Sequence, residues 1–209
     1  MAQKTISEKI LLKTMDWAYE KAVYGAGKLQ NAEELAREFE LNATSKKKAV
    51  NKLITSHNIK AASAGFLAGL PGLLATPVTI PANIAAVMYL QIRMICAIAV
   101  LGGYDVKDEK IKELVYLCLA GNTAAEIMKD ATLSIEKRVA EKVLQSLSTK
   151  SINSFNQKAG FRVMQAVSPK LITRFTKALP VVSGVIGGLY DLRQTNHVAK
   201  LAKDTFFED

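Results

Sequence analysis

Side chains that do chemistry are scarce in this chain. Its 209 residues include two histidines, two cysteines and one tryptophan. His57 and His197 stand without a second His or Cys at ligand spacing, so no zinc site is expected and no metal ligands are assigned. No Gly-x-Ser-x-Gly elbow exists, because neither Ser63 nor Ser183 has glycine at both offsets. Gly25-Ala26-Gly27-Lys28 is only superficially a phosphate loop. Ala22 replaces its first glycine, Leu29 replaces its Ser/Thr, and a helical pattern precedes it. Gly65, Gly69 and Gly72 do not form the dinucleotide fingerprint, and no cofactor is expected. Cys96 and Cys118 both lie in apolar helical patterns and read as buried, reduced thiols. The first 17 residues, MAQKTISEKILLKTMDW, lack the continuous apolar core of a secretory signal. These absences point to a cytoplasmic protein, soluble or peripheral on the inner face of the cell membrane.

Charge is missing where it matters most. Residues Ala61 to Ile92 contain no Asp, Glu, Lys, Arg or His. About 18 to 20 apolar residues suffice to cross a bilayer. This run, however, is interrupted by Pro71, Pro77 and Pro81 and dotted with Gly65, Gly69 and Gly72. Proline inside a helix removes a hydrogen bond and clashes with the preceding turn, so the run does not read as one continuous helix. The simplest parse is a helical hairpin over residues 61–101, with helices from about Asn58 to Leu70 and from about Pro81 to Leu101. Pro81 suits a first turn, and Gly102-Gly103 suits a stop.

Strand signals are also thin, and the helical pattern runs nearly throughout. Thr5-x-x-Glu8 and Asn31-x-x-Glu34 read as capping boxes, opening one helix that ends at Gly25 and another that reaches about Leu41. A Lys-rich helix is expected from about Ser45 to Lys60, and another from Asp108 to about Asp130. Ile135, Val139, Val143 and Leu147 step by four along an amphipathic helix. Ser148–Asn156 reads as a linker. Helices from Gln157 to Val167, after Pro169, and from Val181 to Lys203 complete the chain. The expectation is one all-α domain over residues 1–209, a bundle of about eight helices. Hydrophobic residues make up 49% of the chain and aromatics 7%, with plentiful Ala and Gly that favour close helix packing.

What the chain does have is an excess of positive charge, +9 in all. Residues 148–203 hold nine Lys/Arg against Asp191 alone. Lys158, Arg162, Lys170, Arg174 and Lys177 precede the uncharged stretch Ala178–Tyr190, in which Gly184 and Gly188 repeat the spacing of Gly65 and Gly69. Small residues four apart let helices approach closely, in lipid or in a tight core. A basic surface beside an apolar, glycine-rich segment fits an anionic membrane surface or a membrane protein. Nucleic acid is not an expected partner, since aromatics are not interleaved with the basic residues. A homo-oligomer stays open.

Polar groups inside the apolar regions mark the other candidate site. Asn83, Gln91 and Arg93 share one otherwise apolar helix. A charge there must be paired, exposed or functional. In a bilayer span Arg93 would cost about 3 kcal/mol, which argues against a simple span. Gln91 and Arg93 stand about 200° apart and cannot share a face. Asn122, Glu126 and Lys129 fall on one face of the next helix, and Glu126 or Asp130 is positioned to pair with Arg93 across a helix interface.

Several ordered blocks resemble one family. They are GFLAGLPGLLATPVTIPANIAAVMYLQIRMICAIAVLGGYD (Gly65–Asp105), LVYLCLAGN (Leu114–Asn122), GFRVM (Gly160–Met164) and ALPVVSGVIGGLYD (Ala178–Asp191). Together they are similar to the EcsC family over most of the chain. The resemblance implies a bacterial accessory protein linked to membranes or transport, and it brings no catalytic residues. The leading expectation is therefore a non-enzymatic, membrane-associated protein. The alternatives are a soluble helical interaction or lipid-binding module with a glycine-rich core, and a hydrolase built on Arg93, Asn122 and Glu126.

Overall fold

The computed structural model describes residues 8–25, 30–62, 82–119 and 184–207. These residues form six helices and no strand. In chain order they are α1 (Glu8–Tyr24), α2 (Ala32–Leu41), α3 (Lys46–Ala62), α4 (Ala82–Leu101), α5 (Glu109–Leu119) and α6 (Gly184–Phe206). The all-α expectation holds. The remaining helices of the expected eight, including the amphipathic one through Val139, fall outside the described residues. So do the segments 63–81 and 148–183 and the box at Thr5.

The fold is organised around α4. A helix that is apolar on every side has to be buried on every side, and α4 touches each of the other five helices. Every side chain from Met88 to Ala99 is buried. The end of the uncharged run, from Met88 to Ile92, therefore lies at the centre of the core. Among the described residues no helix is long and apolar enough to cross a membrane.

The surrounding helices are one-sided. In α1, Met15, Ala18, Tyr19, Ala22 and Val23 are buried, the i, i+3, i+4, i+7, i+8 pattern of an amphipathic helix. In α6, Thr195, Val198, Ala199, Ala202 and Phe206 make the same kind of stripe.

Local signals set the ends. The Asn31 side chain accepts from the Glu34 amide while the Glu34 carboxylate accepts from the Asn31 amide, which is the expected capping box of α2. At the end of α4, Gly103 has φ of 90°. Its amide donates to Val100 and the Tyr104 amide to Ala99, the paired bonds of a Schellman stop. One boundary differs from expectation. The sequence ends the Lys-rich helix at about Lys60 and starts the next at about Asn58, whereas α3 continues unbroken through Ala62. Nothing between Asn58 and Ala62 breaks a helix, since the first proline of the run is Pro71.

Cys96 and Cys118 are buried and free. Burial pushes both thiols up, Cys118 to about 12, and Cys118 Sγ donates to Thr205 Oγ1 at 3.6 Å. A thiol held protonated in a core is a poor nucleophile, so neither is a catalytic candidate.

Candidate functional site

α4 carries polar side chains out of its core position in two directions. Gln91 Nε2 donates to Thr195 Oγ1 on α6 at 3.1 Å, with both residues buried. Close by, Asn58 on α3 donates to Asn196 Oδ1 on α6 at 2.7 Å. The buried His57 ring sits 3.1 Å from the Leu53 carbonyl through Nδ1. These residues form a polar seam where α3, α4 and α6 meet.

Arg93 leaves α4 on another side, as its angle from Gln91 requires. It is 5% exposed. Its Nη2 donates to Gln30 Oε1 at 3.3 Å, and Gln30 Nε2 donates to Glu38 Oε2 at 2.9 Å. Gln30 is exposed and immediately precedes the capped start of α2, so the capping box fixes its place. Tyr89 lies one turn before Arg93 on the same face and is 1% exposed. Arg93 Nε and Tyr89 Oη are both buried and have no hydrogen-bond partner among the described residues. Burial pulls the Arg93 pKa down, while Tyr89, Glu38 and Glu34 push it back up. Burial raises the Tyr89 pKa, opposed by the Arg93 charge. The result is a desolvated cation that touches no carboxylate among the described residues. The side chain of Asn83 and all of Asn122, Glu126 and Asp130 lie outside the described residues, so the expected pairing of Arg93 with Glu126 or Asp130 does too. The same holds for the convergence that a hydrolase would need.

A third polar group was not foreseen. Tyr116 Oη donates to Asp16 Oδ1 at 2.7 Å, and Tyr19 Oη donates to the Val106 carbonyl at 2.6 Å. The two rings meet edge to face with centroids 5.7 Å apart. Lys112 Nζ lies 3.2 Å from Asp16 Oδ1 and within 5.8 Å of both ring centroids. Burial raises both tyrosine pKa values well above their ordinary range. The arrangement ties α1 to α5 and offers no reactive group. Neither tyrosine stands out in the sequence, and nothing in the spacing joins residue 16 to residue 116.

Glu113 stands at the edge of this group. Its Oε2 is buried without a hydrogen-bond partner among the described residues, and burial first, then Glu109 and Asp16, raise its pKa above the ordinary 4.5, against Lys112. A carboxyl whose folded pKa is raised favours folding below its unfolded pKa, and that contribution is lost as pH rises through the folded value. Glu113→Gln is expected to raise Tm at pH 7 by about 1–2 °C and to flatten the fall above pH 4.5. Melting curves of both proteins from pH 4 to 8 check this.

The surface holds a further feature. An open groove of about 600 Å³ runs beside α3, lined by Phe39, Asn51, Lys52, Thr55, Ser56 and Ile59. Ile59 is 65% exposed, and Leu41, at the turn into α3, is 79% exposed. Lys46, Lys47 and Lys48, all exposed, occupy the first turn of α3, where no acidic residue stands. The positive end of the helix dipole disfavours cations there. Glu40 approaches Lys46 at 3.8 Å, an exposed pair of small value. The sequence shows the Lys-rich helix and places a basic surface in residues 148–203, of which 148–183 lie outside the described residues. The available signal was three lysines at the wrong end of a helix.

Of the expected membrane-facing residues, Gly184 and Gly188 lie at the start of α6. Lys158, Arg162, Lys170, Arg174 and Lys177 fall outside the described residues. Among the described residues no group of three His, Cys, Asp or Glu is placed to hold a metal.

No curated protein and no solved structure matches the chain. A family model does, over residues 2–207, with the α-helical core and most of the sequence inside it. This chain belongs to the EcsC protein family.

Proposed function

We propose that the protein is a non-enzymatic, membrane-associated accessory protein that meets anionic lipid through basic and apolar segments. The observation that carries this reading is the start of α3. Lys46, Lys47 and Lys48 stack positive charge on the positive end of a helix, which further along lines a groove with Phe39 and Ile59, and Leu41 at the end of α2 is exposed. A local arrangement that opposes helix stability needs a compensating gain. An anionic surface supplies one, since each lysine near such a surface gains about 1 kcal/mol. The net charge of +9 and the basic stretch over residues 148–203 act in the same direction.

The enclosed α4 shapes the reading. Because its side chains already fill the core, attachment is peripheral, through surface side chains and through the uncharged segments 61–80 and 178–190. A transport or membrane protein with an acidic face offers the same complementarity.

Co-sedimentation of the purified protein with anionic and neutral vesicles across a salt series tests this. Binding should require anionic lipid and fall as salt rises, because ions screen exposed charge. Charge reversal at Arg174 and Lys177 should weaken it further. A protein that stays in the supernatant with anionic vesicles at low salt would overturn the reading.

A further inference from the structure

We propose that Arg93 and Tyr89 form the receiving end of a site for an oxyanion, a phosphate or carboxylate group that enters past Gln30. The site is independent of the lysine surface on α3 and of membrane attachment as such.

The argument begins with unsatisfied donors. Buried polar atoms nearly always have partners, and each exception calls for a cause. Among the described residues, Arg93 Nε and Tyr89 Oη are two such exceptions, one turn apart on one face of α4. Arg93 is also a charge without a contacting acid among the described residues, and an uncompensated buried charge is strongly destabilising. A group that carries negative charge and two oxygens removes both deficits. The Nε–Nη2 edge of a guanidinium takes such a group side-on with two parallel hydrogen bonds. In this structure Nη2 donates to the neutral amide oxygen of Gln30 at 3.3 Å, at the long end of the range, and Nε donates to nothing among the described residues. The Tyr89 hydroxyl supplies a third donor.

Among the described residues, the nearby acids of α2 do not take this place. Glu34 is committed to the capping box, with its carboxylate on the Asn31 amide, and Glu38 holds Gln30 Nε2. Both support the Arg93 charge from α2 without supplying the contact oxygen. Gln30, exposed and joined to Arg93 by one long bond, is the side chain an incoming anion displaces. The phosphate oxygens not held by the guanidinium edge would then face Gln30, the exposed side, where a phosphomonoester or phospholipid continues into solvent.

The test is thermal melting of the full chain with sodium phosphate, sodium acetate, or sodium chloride at equal ionic strength. A parallel arm uses vesicles of phosphatidic acid or of phosphatidylcholine. The expected result is a saturable rise in Tm of about 3 °C at tenfold excess over half-saturation, beyond that given by chloride. Arg93→Met should abolish it, and Tyr89→Phe should weaken half-saturation about tenfold, the worth of one hydrogen bond to a charged group. Tyr89→Phe removes a single hydroxyl and carries the test if Arg93→Met does not fold. A shift with free phosphate or acetate identifies a soluble ligand, and a shift with phosphatidic acid vesicles alone identifies a lipid headgroup. Lys47→Glu/Lys48→Glu should keep the response to free phosphate, which separates this site from the membrane reading. The proposal is overturned if no anion acts beyond chloride, or if the shift survives in Tyr89→Phe and Arg93→Met unchanged.

Discussion

With Lys47 and Lys48 both changed to glutamate, the protein is expected to lose its affinity for anionic vesicles while melting at the same temperature or higher. The two effects have opposite signs because the same charges act on two different fields. On the membrane side each lysine near an anionic surface gains about 1 kcal/mol, so removing two weakens binding by about 30-fold, and reversing their sign weakens it further. On the helix side these residues stand in the first turn of α3, which contains no acid. There the dipole favours carboxylates by about 0.3–1 kcal/mol each and disfavours ammonium groups by a similar amount. A surface whose lysines were only solvating the fold would show the gain in stability without the loss in binding. Melting and vesicle co-sedimentation of one purified variant separate the cases. Equal vesicle binding by the variant and the parent would remove α3 from the membrane-contacting surface.

The parts of this fold that were legible in sequence are those decided locally. Asn31 and Glu34 satisfy each other's amides three residues apart, so the start of α2 can be read from four letters. Gly102-Gly103 ends α4 because a left-handed residue is needed after the last turn, and Gly103 adopts it. That α4 is core rather than membrane was partly legible too. Arg93 in mid-helix argues against a span, and the structure gives it a partner, Gln30, just before α2.

What could not be read depends on which helices meet. Gln30 and Arg93 are 63 positions apart, and Tyr116 and Asp16 are 100 apart. No periodicity links such pairs. The sequence therefore found Arg93 and Gln91 as polar positions that needed an explanation, but not Gln30, Tyr89 or Thr195 around them. The lysines of α3 were missed for another reason. Counting charge by region favours the long basic stretch, while the meaning of Lys46–Lys48 comes from their place at a helix end.

Gly102→Ala is expected to be the most damaging small substitution in the described core, although it adds one methyl group at a residue that solvent reaches. The end of α6 passes directly over this glycine. A Cβ on Gly102 would collide with the Phe206 carbonyl oxygen, lie 3.1 Å from the carbonyl carbon and stand 3.2 Å from the Ala99 oxygen. All three are backbone atoms, so no side chain can rotate away and the last turn of α6 has to move. That turn carries more than its own backbone. The Phe206 ring packs edge to face on Tyr104 at 5.5 Å, and Thr205 accepts from the buried Cys118. Overpacking of this kind costs about 1–3 kcal/mol. Because two contacts shift with the backbone, the upper half of that range is expected, a drop in Tm of about 4–10 °C. The neighbouring Gly103 is the control. An added Cβ there meets nothing within 4 Å, but φ of 90° disfavours any side chain. Gly103→Ala should therefore cost about 1 kcal/mol through conformation alone. It should leave Cys118 as unreactive toward a thiol reagent as in the parent, whereas Gly102→Ala should open α6 and speed that reaction. Equal melting temperatures and equal thiol reactivity in the two variants would mean that α6 does not close over α4 at Gly102.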